Sequence, residues 1–243
     1  KKVPFVACNH PGKCTPEVCP CARHGKFCEK FCGCAGDCAL QYPGCRCKGK
    51  CRGLSCLCVK AMRECDADVC SCGALKALTA PEPVEGNPFG VLLCSHTDEC
   101  GNIMTQLGQH SAVSVGRSTI HGWGLFALTT IHKNDFVQEY KGSLISQDEA
   151  DRRGHIYDKL NCSFLFNLND DWVIDSTRKG SKTKYVNHSN SPNCFAKVVS
   201  VNGDHKIGLY AKQDIAPGEE LTFDYQYNEQ HEKEHLTRRG ACV

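Results

Sequence analysis

No run of apolar residues in the 243-residue sequence approaches the roughly 18 that would span a membrane, and no secretory leader is expected. A soluble intracellular protein without a membrane partner is expected. Large apolar side chains are scarce at the start. Residues 1–100 carry so few Val, Ile, Phe and Tyr that hydrophobic burial alone cannot hold them in a fold. No strand-like run leads into a G-x-G-x-x-G, which excludes a nucleotide-binding fold of the usual dehydrogenase or methyltransferase type. Net charge is also small, at +2, but residues 1–63 hold 12 Lys and Arg against three acidic residues, Glu17, Glu29 and Asp37.

What is abundant is cysteine, and 18 of the 21 lie in residues 1–100. An odd total cannot pair completely within the chain, and a reducing compartment disfavours structural disulfides, so zinc thiolate chemistry is the leading account. Two units are expected, a cysteine module over 1–100 and a second domain over 111–243.

The module is a duplication. A shift of 37 residues superposes Cys8, His10, Cys14, Cys19, Cys21 and Cys28 on Cys45, Cys47, Cys51, Cys56, Cys58 and Cys65; with one inserted residue, Cys32 and Cys34 match Cys70 and Cys72. His10 therefore stands in a ligand's place rather than as a stray surface His. Five C-x-C pairs, at 19/21, 32/34, 45/47, 56/58 and 70/72, suit bridging thiolates better than single-ion fingers. Three tetrahedral zinc ions need twelve ligand bonds, which nine ligands supply when three thiolates bridge. Cys38 completes nine in the first copy. The second copy has eight and takes its ninth from Cys94 or Cys100, leaving one of these over. About six zinc ions in two clusters follow. Such clusters carry net negative charge, which the nearby Lys and Arg offset; the same basic run also suits nucleic-acid phosphates, and the sequence leaves open whether it meets DNA. Residues 73–110, with three prolines between Pro81 and Pro88, read as an irregular connector.

From residue 111 the texture changes to short strands: Asp135 to Tyr140, Trp172 to Asp175, and a hairpin over Ala196 to Ala211 turning at Asn202-Gly203. Ser146 through Leu160 is the clearest helix, opened by an S-x-x-E capping box of Ser146 and Glu149. A mainly β fold with short helices is expected.

Three segments, His121-Gly-Trp-Gly-Leu-Phe126, Tyr185-Val-Asn-His-Ser-Asn-Ser-Pro-Asn-Cys194 and Gly218-Glu-Glu-Leu-Thr-Phe-Asp-Tyr225, together resemble the SET domain of protein lysine methyltransferases. The first part of the chain, around Phe31-Cys-Gly-Cys34, Tyr42 to Cys51 and Arg63 to Asp66, resembles the CXC module of Enhancer of zeste proteins. The resemblance implies transfer of methyl from S-adenosylmethionine to a lysine of the histone H3 tail, lysine 27, in the nucleus. Partners implied in the same way are the nucleosome and the WD40-propeller and Suppressor of zeste subunits of a Polycomb repressive complex.

It also assigns residues. Gly122, Trp123, Gly124, Tyr140, Asn187, His188 and Tyr225 would meet the cofactor, the glycines because they carry no side chain to block it. Tyr140, Phe164, Phe166, Phe223 and Tyr225 would wall a lysine channel, with Tyr225, Tyr140 and His188 at the chemistry. Phe223 in place of Tyr implies methylation up to the trimethyl state. The plainer reading is that Gly122 and Gly124 make a tight turn and that His188 and Asn193 satisfy buried backbone groups. Asn190 stands where many SET proteins place a zinc-binding Cys, and the tail carries only Cys242, so no third zinc site is expected. Two other classes compete: a non-catalytic chromatin or DNA-binding zinc module on a SET scaffold, and a metal store.

Overall fold

The computed structural model describes residues 3–34, 38–49, 51, 53–79, 100–160 and 162–225. These form two units. The first gathers the described residues up to 79, residues 100–107 and residues 199–205; the second gathers 108–198 and 206–225.

In the first unit, α1 (Pro20–Arg23), α2 (Leu57–Lys60) and α3 (Ala74–Thr79) are the regular elements. Helices α1 and α2 start after Cys19 and Cys56, which the 37-residue shift superposes, so the duplication is structural. The interior is sulfur: Cys8, Cys19, Cys28, Cys56, Cys58 and Cys65 are all at most 1% exposed, with Ile103 and Tyr42 among the few large apolar partners. Two features depart from the reading of the sequence. The connector is helical over Ala74–Thr79, where Ala-Leu-Lys-Ala-Leu are strong helix formers and Ala74 and Ala77 are buried; residues 80–99 lie outside those described. Residues 199–205, expected within the second domain, group with the first unit because Ser200 pairs with its backbone. The Ser200 carbonyl accepts from Glu64 N at 2.9 Å, Ser200 N donates to Met62 O at 3.0 Å, and Asn202 Nδ2 donates to Gln106 Oε1 at 3.2 Å.

The second unit is built from short strands. In chain order these are β1 (Val113–Arg117), β2 (Trp123–Ala127), β3 (Phe136–Glu139), β4 (Ser143–Ser146), β5 (Leu165–Asn167), β6 (Trp172–Asp175), β7 (Asn187–His188), β8 (Cys194–Val201), β9 (Asp204–Ala211) and β10 (Glu220–Phe223), with α4 (Gln147–Lys159) between β4 and β5. The expected mainly β fold is what forms. No described helix is long and apolar enough to cross a membrane. Three small sheets, ordered β1-β2-β10-β7, β3-β9-β8 and β4-β6-β5, enclose a core of Leu125, Val137, Val186, Leu209, Ile215 and Leu221. Each such side chain contributes about 1.5–3 kcal/mol when fully buried. The β8–β9 hairpin turns at Asn202 and Gly203, both with positive φ (49° and 87°), the conformation that a two-residue type I′ turn demands.

Helix α4 begins as its sequence requires, Ser146 Oγ accepting from Glu149 N at 3.3 Å. The reciprocal arm of the capping box is diverted. The Glu149 carboxylate accepts instead from Arg152 Nε and Arg153 Nε at 2.7 and 2.6 Å, and Arg153 Nη1 continues to the buried Asp175 at 2.8 Å, fastening α4 to β6.

Candidate functional site

The first unit brings its sulfur atoms to metal-binding distance. Four ligands 2.3 Å from a tetrahedral zinc are separated by about 3.8 Å. Cys8 and Cys28 Sγ are 3.9 Å apart, Cys14 and Cys28 3.7 Å, Cys19 and Cys28 4.0 Å, and Cys21 and Cys32 3.8 Å. His10 Nε2 lies 3.6 Å from Cys14 Sγ, Cys38 Sγ 3.4 Å from the same atom, and Cys34 groups with Cys8, Cys14 and Cys28. Second-copy distances are similar, 3.8 Å for Cys45 to Cys51 and 3.7 Å for Cys45 to Cys65. Cys45 shares one group with Cys56, Cys58 and Cys65 and another with Cys51, Cys65 and Cys72. Cys47 sits beside Cys51 and Cys56, Cys70 3.5 Å from Cys58, and Cys100 beside Cys51, Cys65 and Cys72. Cys94 lies outside the described residues.

Membership of several groups at once is what bridging thiolates need, so the donor set fits zinc. Burial pushes the Cys8 and Cys28 thiols well up, and a divalent cation would reverse that cost. Donors complete the shell: Tyr42 OH reaches Cys58 Sγ at 2.9 Å, and Asn102 Nδ2 reaches Cys65 Sγ at 3.4 Å.

In the second unit the parallel pairing of β7 with β10, Thr222 opposite Asn187 and Phe223 opposite His188, sets two of the three sequence motifs side by side. A series of rings follows. Tyr140 and Phe166 centroids are 5.1 Å apart, Phe166 and Phe223 5.9 Å, Phe223 and Tyr225 4.6 Å, and Tyr225 and His188 5.4 Å. Tyr140 and Phe223 are buried; Phe166 and Tyr225 are partly so. Both hydroxyls are anchored, Tyr140 OH donating to Phe164 O at 2.9 Å and Tyr225 OH to Val186 O at 2.6 Å. The Phe164 ring itself pairs with Tyr185, 6.3 Å away, under the Lys184 ammonium, so it stands apart from the series that its carbonyl supports.

His188 is a hydrogen-bonding link between Tyr225 and Asn190. Its Nδ1 accepts from Tyr225 N at 3.1 Å, which leaves the proton on Nε2 to donate to Asn190 Oδ1 at 3.0 Å. Asn193 is a backbone clasp, its Oδ1 accepting from Thr222 N and its Nδ2 donating to Glu220 O, both at 2.8 Å.

The two glycines of the 121–126 segment serve different ends. Gly122 takes a positive φ of 47°, with open space where a side chain would stand, whereas a Cβ on Gly124 would come within 2.8 Å of Glu220 Cδ. That carboxylate, with Ser118, was not legible as part of the site; its place on β10 opposite Phe126 of β2 brings it there. Trp123 is 38% exposed beneath the Arg117 guanidinium, 4.4 Å from its centroid.

A SET domain model matches residues 122–226, and a CXC domain model matches 44–74, the second copy of the cysteine repeat. Histone-lysine N-methyltransferase EZ3 of Zea mays is 47% identical over 215 residues, 86% of this chain and 23% of its own length. The chain belongs to the Enhancer of zeste family. Histone-lysine N-methyltransferase CLF of Arabidopsis thaliana is 46% identical over 228 residues, 92% of this Enhancer of zeste chain and 24% of the relative. A solved structure described as ctPRC2 in an autoinhibited conformation bound to S-adenosylmethionine aligns with a TM-score of 0.78 at 35% identity, covering 96% of this chain and 31% of its counterpart. This Enhancer of zeste chain thus spans about a quarter of the length of the curated relatives it matches.

Proposed function

We propose that this chain is the catalytic part of a protein lysine N-methyltransferase that modifies lysine 27 of the histone H3 tail, up to the trimethyl state, in the nucleus. The single observation that carries the chemistry is the ring series from Tyr140 through Phe166 and Phe223 to Tyr225, beside Asn187 and His188. The substrate address rests on the relatives, which are named as histone-lysine N-methyltransferases, and on the alignment of this chain with a solved Polycomb repressive complex 2 structure.

S-adenosylmethionine, when bound, supplies an electrophilic methyl carbon on a sulfonium. The residues do the rest by placement. Ring faces attract the lysine ammonium on entry, and the apolar wall lowers its pKa by desolvation, favouring loss of the proton to water. Tyr225 donates a hydrogen bond from its hydroxyl to Val186 O, which orients the hydroxyl oxygen to accept from an amine N–H and aim the nitrogen's own lone pair. Phe223 offers a ring without a hydroxyl, leaving room for a nitrogen that already carries methyl groups.

Cys8, His10, Cys14, Cys19, Cys21, Cys28, Cys32, Cys34 and Cys38 would hold one three-zinc cluster. Cys45, Cys47, Cys51, Cys56, Cys58, Cys65, Cys70, Cys72 and Cys100 would hold the other. A WD40 propeller and a Suppressor of zeste subunit are the proposed partners. The test is mass spectrometry of nucleosomal H3 after incubation with S-adenosylmethionine and the assembled complex, wild type and Tyr225→Phe. Methylation of lysine 27, lost in the variant, supports the proposal; unmodified H3 with the assembled wild type defeats it and favours a non-catalytic scaffold.

A further inference from the structure

Four acceptors surround one amide nitrogen. Asn187 Nδ2 lies 2.8 Å from Glu220 Oε1, 3.1 Å from Trp123 O, 3.2 Å from His121 O and 3.1 Å from Ser118 Oγ. Turned the other way, the amide would set its oxygen against a carboxylate and two carbonyls, none of which carries a hydrogen. The orientation is therefore forced. Ser118 Oγ donates to Glu220 at 2.7 Å and accepts from Ile120 N at 2.8 Å and His121 N at 3.3 Å, so the same carboxylate secures the turn that ends at Trp123. Gly124 leaves the space into which Glu220 fits. Asn187 Oδ1 accepts no hydrogen bond among the described residues and is turned away from this nest of acceptors.

We infer that Glu220 is a positioning residue for the cofactor: with Ser118 it fixes the Asn187 amide and the His121–Trp123 turn so that Asn187 Oδ1 is presented as an acceptor to a cationic group, the α-ammonium of S-adenosylmethionine being the chemistry that matches. This rests on the proposed methyl-transfer reading, and the carboxylate acts only through Asn187 and the turn.

The test is a double-mutant cycle on the zinc-loaded, assembled protein, using calorimetric binding of S-adenosylhomocysteine, the demethylated product, with Glu220→Gln, Asn187→Ala and the pair. Glu220→Gln should weaken binding about tenfold, the scale of a lost hydrogen bond to a charged group, while the KM for histone peptide stays within about twofold. In the Asn187→Ala background the same change should have less than about a third of that effect. Asp175→Asn, which disturbs a more deeply buried carboxylate under α4, should lower the melting temperature without weakening cofactor binding. An unchanged affinity in Glu220→Gln, or an equal loss with and without Asn187, overturns the inference alone. A wild-type protein that binds no S-adenosylhomocysteine overturns the methyl-transfer reading with it.

Discussion

Glu29→Gln should destabilise the cysteine unit far more than the replacement of both Glu29 and Arg63 by apolar residues. The Arg63 guanidinium is bidentate to Glu29, with Nη1 to Oε1 at 2.6 Å and Nη2 to Oε2 at 2.7 Å, and the two side chains are only 6% and 10% exposed. It also stacks on Tyr42, 3.5 Å from the centroid, whose hydroxyl reaches Cys58 Sγ. A desolvated cation left with a neutral partner costs about 3–5 kcal/mol, whereas removing both charges from such a pair is often near neutral. Gln retains one acceptor, so about 3 kcal/mol is expected for the single change. With a urea dependence of about 1–3 kcal/mol per molar, the midpoint falls by about 1–3 M. Zinc release to a chromogenic indicator reports the unfolding of this unit, with free zinc held constant because ligand concentration itself shifts stability. Glu29→Leu with Arg63→Met should recover at least half of the loss. If the double variant is as unstable as the single one, Arg63 is required by the thiolates and not by Glu29, and the ion-pair reasoning is refuted.

Tyr225→Phe should lower kcat for methyl transfer about a hundredfold, a cost typical of a misplaced nucleophile, with the cofactor KM little changed in steady-state assays. Ser146→Ala removes the acceptor for Glu149 N and should cost about 1 kcal/mol in urea unfolding of the second unit. Hydrogen bonds from Arg152 and Arg153 hold the Glu149 pKa down to about 2 from an ordinary 4.5. A depressed folded-state pKa gives stability that is full above 4.5 and lost as the pH falls toward 2. The difference in α4 amide-exchange protection between wild type and Glu149→Gln should therefore be constant near neutral pH and shrink across that window.

How far the sequence speaks depends on the distance between partners. The Asn202-Gly203 turn, the Ser146 cap and the β6 strand were legible because local rules decide them over two to four residues. The duplication was legible because cysteine spacing survives any path the chain takes between ligands. Ser118, Asn187 and Glu220 form a single nest although 69 and 33 residues separate the neighbours, and the pairings of β10 with β2 and with β7 bring them together. Nothing local marks Glu220 apart from Glu219, which instead accepts from Asn193 Nδ2 at 3.0 Å. Likewise, the Pro-rich stretch after Thr79 disguised a short helix whose own residues favour it, and the pairing of Ser200 with Met62 and Glu64 is a non-local event that no strand pattern announces.

A channel that delivers a neutral amine must attract a cation without holding it charged. Rings suit this task because their attraction is modest, on the order of 0.5–2 kcal/mol, whereas a facing carboxylate would raise the pKa of the amine and oppose loss of its proton. The last motif carries that distinction within three residues. Extended chain alternates its side chains, and Phe223 and Tyr225 both join the ring series while Asp224 between them is 56% exposed. Thr222, on the other side of Phe223, is occupied by Asn193, which fixes the register of β10. A one-residue slip there would bring Asp224 to the ring face, where a carboxylate would favour the charged form of an amine in the proposed channel.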